Sequence, residues 1–120
     1  YAMPEHKTRT TYKTLSTPGG GGFNELRFED KKGSEQIFLH AQRDWELMVK
    51  ANAFATIDGD SHLLVKGNAN IEVNGNVREH IHGNYKLNVD GNYDVQIDGH
   101  HYSNSDTHTK FTAPRIDFNP

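Results

Sequence analysis

Residues 57–103 repeat one eight-residue pattern six times in succession: an aliphatic residue, any residue, glycine, then an alternating run. Ile57, Val65, Val73, Ile81, Val89 and Ile97 hold the first position, and Gly59, Gly67, Gly75, Gly83, Gly91 and Gly99 the third. The residue after each glycine is small, polar or imidazole: Asp60, Asn68, Asn76, Asn84, Asn92 and His100. A period this strict sets the architecture before local propensity does, because each unit has an apolar face that only stacking can cover. The chain reads as a shaft.

Between the glycines the sequence alternates with period two, the mark of a strand with one buried face. Odd positions carry Val65, Ala69, Ile71, Val73, Val77, Ile81, Tyr85, Leu87, Val89, Tyr93, Val95 and Ile97. Every even position from Lys66 to His100 is Lys, Asn, Glu, Arg, His, Asp or Gln. A helix would need apolar residues at i, i+3 and i+4, and none fall so. Glycine at every eighth position weakens a helix but suits a strand that bends at a corner, through a backbone angle or a close approach that a Cβ would forbid.

One chain cannot easily wind this pattern alone. A three-sided coil uses three octads per turn, so six octads give about two coils, whereas stacked repeats need at least about three units to bury a continuous core. Common single-chain β-helices repeat every six or nine residues, and no Gly-Gly-x-Gly-x-Asp calcium run occurs here. Three chains around one threefold axis solve the problem, each supplying a face in turn. The expected fold is therefore all-β: an intertwined triple-stranded β-helix, a three-sided β-prism built by a homotrimer on an octapeptide repeat. Six octads rising ~4.8 Å each give a shaft of only about 29 Å.

Composition agrees with a thin core. Only 33% of the 120 residues are hydrophobic, which suits a narrow prism better than a globule. Net charge is −3 per chain, hence about −9 for three copies, which argues against nucleic acid as a partner. No stretch approaches the roughly 20 apolar residues of a membrane-spanning helix, and no signal peptide is visible. Cysteine is absent, so no disulfide contributes.

The organisation before the repeat differs. Residues 1–22 are polar and Thr-rich and end in Pro18 and four glycines, the composition of an extended linker. No Lys-Ser or Lys-Thr follows the glycines, as a phosphate loop requires. Residues 23–56 read as a β-hairpin and lead-in strands: Phe23–Asp30 alternates with Leu26 and Phe28 on one face, and Lys31-Lys32-Gly33 reads as the turn. Glu35–Ala41 reads as the second strand, and its odd phase continues through Trp45, Leu47 and Val49. Ala51 stands at a degenerate glycine position. Residues 57–103 are the shaft and 104–120 a tip-ward extension, in which Pro114 interrupts the alternation and Ile116 and Phe118 restart it in the other phase.

The stretch Ser16-Thr17-Pro18-Gly19 through Gly22, then Phe23-Asn24-Glu25-Leu26-Arg27-Phe28-Glu29-Asp30-Lys31-Lys32-Gly33-Ser34-Glu35-Gln36-Ile37-Phe38-Leu39-His40-Ala41-Gln42-Arg43-Asp44, closely resembles the segment leading into the spike of VgrG proteins. These are the trimeric tips of type VI secretion machines and are similar to the cell-puncturing spikes of contractile phage tails. Lys7-Thr8-Arg9-Thr10 resembles the stretch leaving the family's OB-fold domain. The resemblance implies a spike fragment of a longer protein whose hub and OB-fold lie outside these residues. It implies mechanical work rather than catalysis, with no cofactor. The implied partners are two further copies, a PAAR protein at the C-terminal tip, effectors, the Hcp tube through the N-terminal part, and a target membrane crossed by force. It also implies assembly in the cytoplasm and export by the type VI machinery without a signal peptide.

Histidine offers the strongest pull toward chemistry, with eight in the chain. His80-Ile81-His82 has metal-ligand spacing, but Ile81 holds the inward position, so both rings are expected to face water. His101 lies in the inward phase and is an axial metal candidate, with a hydrated or hydrogen-bonded ring as the plainer alternative. Glu79 is the one charge at an inward position, where other octads carry Leu63, Ile71, Leu87 and Val95. Three carboxylates on an axis must share protons, hold water or bind a cation, unless each escapes sideways to solvent. Glu79 has no second carboxylate at a glycosidase spacing. Two rival functions share the architecture: a phage tailspike degrading polysaccharide, which needs acidic pairs in long grooves, and a carbohydrate-binding stalk, which needs exposed aromatic platforms.

Overall fold

A computed structural model describes residues 7–119. The protein is all-β: three strands and no helix occur among the described residues, so no helix there is long and apolar enough to cross a membrane. The chain divides into two units, Tyr1–Leu64 and Val65–Pro120.

The first unit holds an antiparallel meander of β1 (Arg9–Leu15), β2 (Phe23–Glu29) and β3 (Gln36–His40), paired in the order β1-β2-β3. Residues 9–15 lie in the stretch whose composition suggests a linker, yet they form a full strand. Thr10, Thr11, Tyr12 and Thr14 explain the difference, since β-branched and aromatic side chains favour the pleated surface even in a polar segment. The glycine-rich stretch is likewise ordered. The Gly20 N–H donates to the Thr17 carbonyl at 2.8 Å, with Pro18 and Gly19 at the centre of the turn. The Ser16 N–H then closes the loop on the Gly22 carbonyl at 3.0 Å.

Between β2 and β3 the Ser34 N–H donates to the Lys31 carbonyl at 2.8 Å. Gly33 has φ +84° at the third turn position, the left-handed angle of a type II turn that glycine adopts without a Cβ penalty. The register sorts the side chains cleanly. Arg9, Thr11, Lys13, Leu15, Phe23, Glu25, Arg27, Glu29, Gln36, Phe38 and His40 share one face. Tyr12, Leu26 and Leu39 form a cross-strand row on the other, beside the pair Phe28 and Ile37.

Beyond His40 no further strand and no backbone–backbone hydrogen bond occurs among the described residues. In their place comes a series of bends. In the first unit these fall at residues 42–43, 50–51 and 58–59, and in the second at 66–67, 74–75, 82–83, 90–91, 98–99, 106–107, 114 and 118. Six of them carry the repeat glycines, but Arg43, Ala51 and Thr107 occupy the same place in others. The backbone period of eight thus runs further in both directions than the glycines do.

Candidate functional site

The charged face of the sheet pairs its cations with rings and carboxylates and leaves Leu15 exposed at its edge strand. Lys13 Nζ lies 4.4 Å from the Phe23 ring centroid, and Arg27 Cζ lies 4.4 Å from that of Phe38. His40 stacks on Phe23 with centroids 4.3 Å apart, so cation and ring alternate across the strands. Glu25 is the one buried polar side chain among the described residues and pairs with Arg27 at 3.3 Å. Glu29 accepts hydrogen bonds from the Thr8 hydroxyl at 2.6 Å, Arg9 Nε at 2.9 Å and the Lys31 N–H at 3.0 Å. These donors, the Thr8 hydroxyl first, hold its carboxyl far below the ordinary 4.5, at about 2.

The opposite face is uncovered. Tyr12, Leu26, Leu39, Ala41, Asp44 and Trp45 line part of an open groove of about 310 Å³. Tyr12 is 69% exposed, Leu39 51% and Trp45 64%. Gln42 joins this groove to the first bend: its N–H donates to Asn24 Oδ1 at 2.8 Å, and its Oε1 accepts the Phe23 N–H at 3.3 Å. Gly22 makes room for that side chain, since a Cβ there would stand 2.6 Å from it.

Each unit also leaves its own repeat positions open. In the first, Val49 and Ile57 are exposed, and in the second so are Val65, Val73, Ile81, Val89 and Ile97. Ile71, Val77, Tyr85, Leu87, Tyr93 and Val95 are more exposed than those five positions of the second unit, and no hydrophobic side chain among the described residues is buried. Covering one such side chain fully is worth about 1.5–3 kcal/mol. A chain that leaves all of them in water, along with the backbone groups from Ala41 onward, is half of an interface.

The repeat glycines narrow one expectation. Gly59, Gly67, Gly75, Gly83, Gly91 and Gly99 have no left-handed φ, and a Cβ on any of them would meet no atom of the same chain within 4 Å. A positive φ therefore does not explain them. The chain's own packing makes no demand for glycine at these sites.

The metal candidates stand apart within one chain. Glu79 and His101 are both exposed, and no group of three or more His, Cys, Asp or Glu able to hold a metal occurs among the described residues. His80 and His82 are exposed, with ring centroids 4.5 Å apart. Sequence reasoning missed Tyr12 and Gln42. The β-branched run around Tyr12 was a usable signal, whereas nothing local marks Gln42.

Among known proteins, the chain is similar to the type VI secretion system spike protein VgrG5 of Pseudomonas aeruginosa, 53% identical over 70 residues, which cover 52% of this chain and 9% of that relative. It is 51% identical over 65 residues to the type VI secretion system spike protein VgrG3 of Vibrio cholerae, covering 54% of this chain and 6% of that protein. It is 48% identical over 66 residues to the actin cross-linking toxin VgrG1 of the same species, covering 55% and 6%. The chain thus spans less than a tenth of the length of these relatives. An all-β chain with exposed apolar positions and unpaired backbone is what a trimerisation element looks like in one copy. The family described as bacteriophage T4 gp5 C-terminal trimerisation domain matches it over residues 10–115, and the chain belongs to that family.

Proposed function

We propose that three copies of this chain wind into an intertwined triple-stranded β-helix, the shaft of a spike in a type VI secretion machine. The carrying observation is that no hydrophobic side chain is buried and no backbone–backbone bond follows β3 among the described residues. Both needs are met at once if neighbouring strands come from other copies, with Ile57, Val65, Val73, Ile81, Val89 and Ile97 turned to a common axis and the six glycines at the corners. Membership in a trimerisation family and the spike names of the relatives support this reading.

The role is structural rather than catalytic. A closed prism exposes no sheet edge along its sides, and its polar outer face does not dissolve into lipid. The shaft therefore crosses a target envelope only when driven, by contraction acting through an Hcp tube on the hub of the longer protein. Its far end presents a platform for a PAAR tip protein and effectors, and the whole is assembled in the cytoplasm and exported by the type VI machinery. Sedimentation equilibrium of the purified chain tests the assembly. Three copies per particle are expected, and a folded monodisperse monomer would overturn the reading.

A further inference from the structure

We propose that Asn74-Gly75 is a self-modification site of the unassembled chain, where the backbone converts asparagine to aspartate or isoaspartate, and that assembly closes it. The closure rests on the trimeric reading above; the reactivity does not.

The pair is the only Asn-Gly in the chain. Gly75 leaves the backbone nitrogen after Asn74 unshielded, because it carries no side chain. Other asparagines of the repeat precede Ala69, Ile71, Val77, Tyr85, Val89 and Tyr93, whose side chains crowd that nitrogen. Asn74 and Gly75 form one of the second unit's bends, and both are exposed. A Cβ on Gly75 would meet no atom within 4 Å, so the bend is open on that side. Among the described residues no hydrogen bond holds the Asn74 side chain or the Gly75 N–H. Nucleophile and electrophile are therefore adjacent, in water and free to turn toward each other.

Loss of the Gly75 amide proton to hydroxide makes that nitrogen a nucleophile. It bonds to Asn74 Cγ, the Cγ–Nδ2 bond breaks, and Nδ2 leaves as ammonia with a proton taken from water. Water then opens the succinimide ring at either carbonyl. The net reaction consumes one water and releases ammonia, with no oxidant or cofactor. Opening at Cγ gives ordinary aspartate. Opening at the backbone carbonyl routes the main chain through Cγ and lengthens it by a methylene.

The shaft tolerates these products differently. Asp58, Asp90 and Asp98 already stand in the same octad place before glycine, so aspartate at 74 suits the repeat. An added methylene puts the residues on its two sides out of phase and breaks the alternation of inward and outward side chains. In the assembled shaft, neighbouring strands take up the backbone groups of residues 74–75 and hold them extended. Asn74 Cγ then reaches the Gly75 nitrogen only after local opening. Free chains thus age out of the assembly pool, while assembled ones keep the amide.

Peptide mapping by mass spectrometry, with chromatographic separation of the isomers, follows residue 74 in the full chain at mildly alkaline pH, in urea and as isolated trimer. In urea Asn74 should convert roughly tenfold or more faster than any other asparagine. In the trimer its conversion should be roughly tenfold or more slower than in urea, since attack waits on opening. When aged chains are refolded, isoaspartate should be depleted about fivefold or more in the trimer relative to the unassembled fraction. Asn74→Asp should assemble like the unmodified chain, and Asn74→Gln should assemble without ageing. Conversion in urea no faster than at other asparagines, equal rates in urea and trimer, or isoaspartate entering trimers in proportion to the input each overturns the inference and leaves the trimeric reading intact. A chain that never trimerises sinks that reading and the closure together.

Discussion

At the scale of single residues, glycine and glutamate separate demands made inside the chain from demands made outside it. The bends at Arg43, Ala51 and Thr107 show that the eight-residue backbone period proceeds with a side chain in the glycine place. Own-chain space around Gly75 and Gly83 is open as well. If these glycines are needed, the need arises when a neighbouring copy packs against the corner. Gly75→Val and Gly83→Val are therefore expected to prevent trimer formation without altering the isolated sheet, while Asn76→Ser leaves assembly unchanged; equal trimer yields from all three would remove the corner role. Glu29 belongs to the other class. Its carboxyl sits at about 2, depressed by the Thr8 hydroxyl, Arg9 and the Lys31 amide. A depressed carboxylate contributes stability that is fully present above its unfolded value and is lost as pH falls from about 4.5 through about 2. Carbon-detected NMR titration should place the Glu29 midpoint near 2, and Thr8→Val should raise it. A midpoint in the ordinary carboxylate range for the unmodified chain would contradict the hydrogen-bonding account.

At the scale of elements, the turn between β2 and β3 sets the register that puts Leu26 opposite Leu39. Gly33→Ala forces a Cβ into a φ of +84°, which costs about 1 kcal/mol or more. Amide exchange in the β2–β3 rungs should then accelerate about fivefold, the factor equivalent to 1 kcal/mol. Unchanged exchange would mean the turn does not limit opening. The elements also show where sequence reading works. The all-β class and the family were legible, the first in the period-two alternation and the second in the segment from Gly19 to Ala41. β1 was not, because threonine next to a glycine run lowers hydropathy without lowering β propensity. The bends at Arg43, Ala51 and Thr107 were invisible to a search keyed on glycine. Nor could the sequence show that the charged face of the sheet pairs its cations with rings, since the Phe23–His40 stack joins residues 17 apart through a register that only pairing creates.

At the scale of the whole molecule, the proposed prism shares its strands among three chains, so no part of its shaft opens alone. In that prism, loss of one copy exposes the apolar rows of the other two, so folding of the shaft beyond the sheet is one step with assembly and depends on chain concentration. Unfolding should accordingly be slow, and its apparent midpoint should move with scan rate. A midpoint independent of scan rate would mean that the copies separate readily. The same closure bears on membranes. The outer positions from Lys66 to His100 are polar throughout, and moving such a surface into hydrocarbon costs several kcal/mol for each unpaired group. In the proposed prism, octads rising ~4.8 Å each would make a six-octad shaft about as long as one ~30 Å bilayer core. Free energy of insertion is therefore unfavourable along its length, and the work must come from outside the trimer. Purified trimer added to dye-loaded liposomes at neutral pH should cause no release at any protein concentration. Dose-dependent leakage would show that the shaft inserts unaided, and the force-driven role would have to be given up.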